Sequence, residues 1–264
     1  HVLTLKWVMR PPRPDDSSEG PVMSSDTIVR EAAQAALASD HRFAAVYTLD
    51  VQGRAQRSIM ATVAADGSWR VDIPGGALGG TADVSIAQTQ AGVFQCAIPS
   101  ATNPIAPTCV RVGDQGERVP KKYDPKIQRV FRQWLPVFID RQAALSVGAA
   151  QPLTGAAGQC YAVDSISASL SAPVDVGIYC YSPEGLLTAA RVAFGTVTLS
   201  GTPAPAPATV DLPGPVTGGE PMGMNAPPVT TTPPSSGTET GTETGPETGP
   251  GTAPSLVGPS PSGA

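Results

Sequence analysis

Reactive or metal-binding chemistry in this 264-residue chain would have to come from four cysteines, two histidines and a scatter of carboxylates. The cysteines are Cys96, Cys109, Cys160 and Cys180; no CxxC pair occurs, and the histidines, His1 and His41, lie far from them in sequence. A structural zinc site of the usual Cys/His kinds therefore finds no ligand set. His41 follows Asp40, the nearest approach to a catalytic pair, but no Gly-x-Ser-x-Gly elbow supplies a nucleophile. A helix C-terminal interaction is the simpler role for His41. Asp15-Asp16 lies in a proline-rich leader, while Asp72, Asp83, Asp140, Asp164 and Asp175 stand apart without glycosidase-like context. Gly75-Gly76 and Gly79-Gly80 are followed by neither a Lys nor a helix start, so they form no phosphate loop. No haem, flavin or nucleotide signature is present. These residues point to a protein that is not an enzyme and carries no metal or cofactor.

The cysteines have a different use. Four allow three connectivities, and their number alone selects none. Local patterning favours Cys96–Cys109 and Cys160–Cys180. Cys96 ends the strand-like run Gly92–Cys96 and Cys109 begins Cys109–Val112, with a proline-rich loop between them. Cys160 starts Cys160–Val163 and Cys180 sits in Val176–Tyr181, with Ser169–Pro173 suited to a turn. Each pair then brackets one hairpin, and each bridge would contribute ~3 kcal/mol by restricting the unfolded chain. Four free buried thiols are the alternative. Pairing implies an oxidising compartment, so the expected location is extracytoplasmic, in a cell envelope or secreted.

Charge narrows the partners. Of the chain's 22 acids, five lie after Ser200, which leaves 17 acids against 17 bases in residues 1–200. A formally neutral domain has no basic footprint for nucleic acid or for a polybasic membrane contact. No stretch approaches the ~20 apolar residues of a spanning helix. The chain opens at His1, so a signal peptide or lipidated cysteine would lie upstream, and membrane attachment would come only through that unseen anchor. The apolar stub His1–Met9 reads either as a frayed leader or as the end of such an anchor.

Three regions follow. Residues 1–23 form a leader or linker, residues 24–200 a globular domain, and residues 201–264 a disordered tail rich in Pro, Thr and Gly. The tail has no Lys, Arg, aromatic residue or Cys. Its Pro-Ala alternation favours polyproline segments, and its Glu-Thr-Gly repeat suits either a solubilising spacer or a carrier of O-linked sugars. Pro246–Gly249 is no sortase signal, since neither a preceding Leu nor a following apolar stretch exists.

Within the domain, Ser24–Asp26 offers N-cap residues and Ile28, Val29, Ala32, Ala36 and Leu37 recur at helical spacing, which predicts a helix over 26–39. Strands are expected at 43–51, 57–64, 68–73, 82–89, 92–97, 109–112, 158–167, 174–181 and 187–200. Asp66-Gly67 marks a tight hairpin turn, and Ser182–Gly185 the turn before the last strand. Asp124-Pro125 opens a second helix, along which Ile127, Val130, Phe131, Trp134, Leu135, Phe138 and Ile139 recur at three and four, with Pro136 as a kink. The fold class is α+β: a meandering antiparallel sheet, large enough to curl, with two helices segregated to one face.

The order of these elements resembles the LolA-like superfamily, in particular the LppX/LprG-type lipoproteins of actinobacteria. The likeness spans roughly Asp26–Ser200. It is carried by Ile28–Ser39, Gly92-Val-Phe-Gln-Cys96, Gly158-Gln-Cys160-Tyr161 and Tyr179-Cys-Tyr-Ser-Pro-Glu-Gly-Leu-Leu187. The missing lipidated cysteine and the Pro/Thr tail depart from the family pattern. The resemblance implies a curved antiparallel half-barrel with two helices on its concave face, enclosing an apolar cavity for a lipid or acyl chain. On that expectation the cavity is lined by Phe131, Trp134 and Phe138 from the helix and by Ile59, Val71 and Ile86 from strands. The implied function is an extracytoplasmic lipid- or acyl-chain-binding carrier or lipoprotein. The alternative is a non-enzymatic envelope sensor or scaffold module that binds a protein partner.

Overall fold

Period-two alternation of apolar and polar residues builds most of this molecule. In the computed structural model, which describes residues 25–37, 41–167 and 172–229, twelve strands form one open, curved sheet. After a helix α1 (Ser25–Leu37) come β1 (Phe43–Asp50), β2 (Arg57–Val63), β3 (Trp69–Ala77), β4 (Ala82–Thr89), β5 (Gly92–Ala97) and β6 (Thr108–Gly113). A short helix α2 (Leu135–Ile139) precedes β7 (Leu145–Ala149), β8 (Gln159–Ser165), β9 (Gly177–Tyr181), β10 (Leu187–Val192), β11 (Gly195–Ala204) and β12 (Val216–Thr217). The strand order is β12-β6-β5-β4-β3-β2-β1-β11-β10-β9-β8-β7, antiparallel except where β12 lies parallel to β6.

On β1, Phe43, Ala45, Tyr47 and Leu49 are buried while the residues between them are less so. The same face collects Ile59, Ala61 and Val63 from β2, Val71 and Ile73 from β3, and Val84 and Ile86 from β4. The Asp66-Gly67 turn forms as expected. Asp66 Oδ1 accepts from the Ser68 N–H at 2.9 Å and from its hydroxyl at 2.5 Å, while Gly67 takes a left-handed φ of 83°.

Two antiparallel meanders, β1–β6 and β7–β11, are joined by the pairing of β1 with β11. This places β6 next to one edge and β7 at the other, so the connection over residues 114–144 runs from one side of the sheet to the other. On a flat sheet that path would be about 48 Å, and curling shortens it. Residues of α1, of this connection and of the strands share one apolar core.

The connection is not the single kinked helix its spacing predicts. Residues Lys121–Tyr123 and Ile127–Phe131 are 3-10 turns, and only Leu135–Ile139 is α-helical. Asp124 explains the change. Its Oδ1 accepts from the Lys126 N–H at 2.7 Å and from Gln128 Nε2 at 2.8 Å, which holds Lys126 at a left-handed φ of 67° where a helix would need a right-handed one. Arg132 is extended, so the helical run stops again. Pro136 therefore lies in the first turn of α2, where its missing N–H costs nothing, and produces no kink. Residues 187–200, expected as one strand, are two, turning at Ala193-Phe194; β7 and β12 were not foreseen.

Both disulfides form with the expected partners, Cys96–Cys109 and Cys160–Cys180, and no free cysteine remains. Each joins directly opposed residues with Cα atoms 4.0 Å apart. The Cys109 N–H is turned away to Pro215 O at 2.8 Å, and Cys160 O accepts from Ala150 N–H at 2.9 Å, so both bridges occupy non-hydrogen-bonded pairs, where side chains approach most closely. They lie on the face opposite the main core, in small clusters covered by Leu153 and Ala156 at one end and by Leu212 at the other. They are in keeping with an oxidising environment. Among the described residues no helix is long and apolar enough to cross a membrane.

The domain does not end at Ser200. The first compact unit runs through Pro227, and β11 itself continues to Ala204. A proline-rich segment has few N–H groups but keeps its carbonyls, and these hold it in place. Pro207 O accepts from Ala65 N–H, Ala208 O from Asp66 N–H and Pro215 O from Cys109 N–H. Val210, 7 % exposed, donates its N–H to Ser68 Oγ at 3.0 Å. Met222 exchanges hydrogen bonds with the buried side chain of Gln95 at 2.6 and 2.9 Å. The leader 1–23, Ser24, the 38–40 helix end with Asp40, most of the Ser169–Pro173 turn, and the repeats after residue 229 lie outside the described residues.

A chain ending at Ala204 should lose about 3 kcal/mol in urea unfolding relative to the full chain, from Val210 and Leu212 alone. A chain ending at Val229 should match the full chain.

Candidate functional site

The six residues expected to line a cavity are brought together, and all are buried. Ile59, Val71 and Ile86 are at most 1 % exposed, and Val71 and Ile86 stand directly opposite one another on β3 and β4. Phe131, Trp134 and Phe138 arrive from the connection and are at most 7 % exposed. Phe131 meets the Tyr47 ring edge-on at 4.7 Å, and Phe138 meets Tyr179 at 5.5 Å.

Tyrosines complete this aromatic layer, and they were missed in the sequence. Tyr47, Tyr161, Tyr179 and Tyr181 all face the main core. The signal was present in the alternation Tyr179-Cys180-Tyr181, which sends the tyrosines to the face the disulfide does not occupy. Tyr47 donates to Leu187 O at 2.8 Å and Tyr179 to Asp175 O at 2.6 Å. The hydroxyls of Tyr161 and Tyr181 are buried without a hydrogen-bond partner. Burial pushes the Tyr161 phenol up to about 12, those of Tyr47 and Tyr179 higher still, and that of Tyr181 well above its ordinary value.

Clefts open from this core at opposite ends of β2 and β3. At the Val63–Trp69 end, an inner nook of about 40 Å³ is lined by Trp69, Gln128, Arg129, Arg132, Trp134 and Asp175, with Arg118 and Glu117 beside them. Such a volume holds about three waters. Arg129 pairs with the carboxylates of Asp124 and Asp175, and Arg118 donates to Pro173 O at 2.8 Å. Burial, then Arg118 and Arg129, lower the pKa of Arg132, whose guanidinium lies 5.9 Å from the Trp134 ring centre. Gln128 Oε1, Trp134 Nε1 and Asp175 Oδ2 are buried with no partner, each at a cost of about 1–3 kcal/mol if left so. A shallower groove of about 390 Å³ shares Trp69, Arg132 and Trp134 with the nook.

At the other end, a cleft of about 430 Å³ gathers Arg54, Arg57, Lys121 and Lys126 around Val51, Ile127, Phe194 and Met224. Arg57 Nη1 donates to Pro74 O at 2.6 Å and Gly75 O at 3.1 Å, which fixes the guanidinium at the rim. Its pKa is lowered by burial and by Arg54, with Asp83 opposing. The one carboxylate in this lining, Asp124, is engaged by Arg129, so the cleft is cationic. Its apolar members Val51, Phe194 and Met224 pack on the main core. The formal neutrality of residues 1–200 concealed this local excess of positive charge.

His41 opens onto a smaller space of about 30 Å³ with Phe43, Phe131 and Leu187, its ring 5.9 Å from that of Phe43. Among the described residues no group of three or more His, Cys, Asp or Glu is placed to hold a metal ion. No family model, no curated protein and no solved structure matches the chain.

The tyrosines set an alkaline limit. Unfolded phenols ionise near pH 10, and the folded ones only above that, so their stabilisation is complete below pH ~10 and is lost as pH rises through about 12. In an alkaline titration the 295 nm absorbance of these four tyrosinates should rise together with the loss of the circular dichroism signal, not before it.

Proposed function

We propose that this domain is a non-enzymatic, extracytoplasmic protein of the cell envelope that binds a lipid or acyl chain bearing an anionic head group. The observation that carries the reading is the cationic cleft with an apolar floor. Arg54, Arg57, Lys121 and Lys126 surround a space whose base is Val51, Ile127, Phe194 and Met224. A phosphate or carboxylate head group would take charge-assisted hydrogen bonds from the rim. A tail laid against the floor would gain ~0.8 kcal/mol for each methylene removed from water. The floor joins the core that contains Ile59, Val71, Ile86, Phe131, Trp134 and Phe138. Deeper entry of a tail requires that core to open, since all six of these residues are buried in it. The resemblance to LolA-like, LppX/LprG-type lipoproteins supports the same reading, with the curved sheet as a half-barrel and the helices over its concave face.

A second reading, a sensor or scaffold that binds a protein partner, draws on the dense packing of those six side chains, none above 7 % exposed. Native mass spectrometry of the domain purified from a bacterial envelope separates the two. Co-purifying lipid supports the carrier; a clean apo mass across several hosts overturns it.

Lys121→Glu combined with Lys126→Glu, both at exposed positions, should weaken binding to vesicles containing anionic phospholipid about tenfold in a flotation assay. Added salt should weaken the unmodified protein in the same direction, and unfolding stability should stay within about 0.5 kcal/mol.

A further inference from the structure

The two sides of the sheet end differently. On one side β12 covers β6; on the other β7 stands last and pairs only with β8. Ala150 N–H donates to Cys160 O at 2.9 Å, and Ile166 N–H donates to Ala144 O at 3.2 Å. These bonds fix the even-numbered residues here as the ones that face β8. The N–H and C=O groups of Val147 and Ala149 therefore point away from the sheet, as does Leu145 O, and no hydrogen bond among the described residues reaches them. Leu145 N–H folds back on Ala143 O at 2.7 Å. Leu-Ser-Val-Gly-Ala carries no charge, proline or bulge, so the edge is open to a further strand.

The edge also has two unlike faces. Leu145 and Val147 are half-buried against the main core, on a strand that α1 packs against. Ser146 is exposed on the other face, opposite exposed Asp164 of β8, which forms no ion pair among the described residues. A matching strand alternates apolar with polar residues and brings a cation to the polar face. The chain's own residues 1–9 have that pattern. Leu3, Leu5 and Trp7 fall on one face of an extended segment, Thr4 and Lys6 on the other, and neither Pro nor Gly interrupts them. Residues 10–24, with four prolines, lead from there to α1, which begins at Ser25. Fully extended they reach ~50 Å, against ~17 Å for the length of β7, so either end of that edge is within range.

We propose that residues 3–8 add to the free edge of β7 as an antiparallel strand of the same chain. The register that matches both faces sets Leu3 opposite Ala149, Leu5 opposite Val147 and Trp7 opposite Leu145. Leu3 and Leu5 each exchange two hydrogen bonds with their partners, and Trp7 N–H donates to Leu145 O. Lys6 falls opposite Ser146, one strand away from Asp164. The surface is separate from the cationic cleft and does not rest on lipid binding.

Amide hydrogen exchange of the full chain, read by NMR at Val147 and Ala149, tests this. Leu5→Pro removes the N–H that meets Val147 O and should speed exchange at both amides about tenfold. Thr4→Pro is the control, because the Thr4 N–H faces solvent in this register, where an edge strand accepts proline. Protection should survive it. Both substitutions precede α1 and leave the packed core unaltered. An independent measurement is cross-linking. Lys6→Cys with Ser146→Cys places thiols in a directly opposed, non-hydrogen-bonded pair and should form a disulfide within one chain, found by peptide mass mapping. Lys6→Cys with Ser58→Cys, on β2, should form none. Unprotected Val147 and Ala149 in the unmodified chain, equal effects of the two prolines, or absence of the 6–146 link overturns the proposal. Protection that falls on dilution, with the link joining two chains, assigns the edge to a second copy and overturns it as well.

Discussion

The pairing of β1 with β11 turns two antiparallel meanders into one sheet, and most other features depend on it. The register Thr48↔Thr198 and Leu49↔Val197 continues the core face from one meander to the next, and Tyr47 crosses the junction to reach Leu187 O. Because the meanders meet through these inner strands, the chain leaves β6 on one side and must re-enter at β7 on the other. The connection therefore crosses the core face whatever its secondary structure. Phe131, Trp134 and Phe138 reach the core by topology, and their spacing needs only to bring successive apolar residues to the same side.

This explains which parts were legible in the sequence. Strand alternation is local, and β1–β6, β8 and β9 lie within a few residues of their expected limits, whereas β10 and β11 read as one strand and the short β7 and β12 gave no signal. The cysteine pairing was legible for the same reason, since each bridge closes a single hairpin. The connection was misread because one carboxylate, Asp124, competes for the N–H groups a helix would use, and such competition does not alter the three-and-four spacing. The proline-rich strap was misread because composition reports what a segment lacks. Its role rests on carbonyls that accept from the N–H groups of Ala65, Asp66 and Cys109, partners distant in sequence. The aromatic trio was visible as a pattern, whereas Arg129 and Asp175 meet only after the fold has formed.

The two ends of β2 and β3 differ in chemistry. One presents four cations over an apolar floor, and the other sets three arginines against two carboxylates beside two indoles. Between them lies an aromatic layer held by ring contacts and by hydroxyls whose ionisation burial suppresses. A ligand at either end would press on the same layer, because Ile127 and Trp134 belong to one core and to the same short connection.

The strap has one more consequence. A wide sheet exposes rows of unpaired backbone groups along its sides, and these invite other chains to add themselves as new strands. On the β6 side that invitation is answered by β12, a two-residue strand preceded by Pro213 and Pro215. A newcomer arriving there meets a partner too short to template a ladder, next to prolines with no N–H to offer. The segment that looked like an appendage thus terminates the sheet on that side, guarding the protein against assembling with itself.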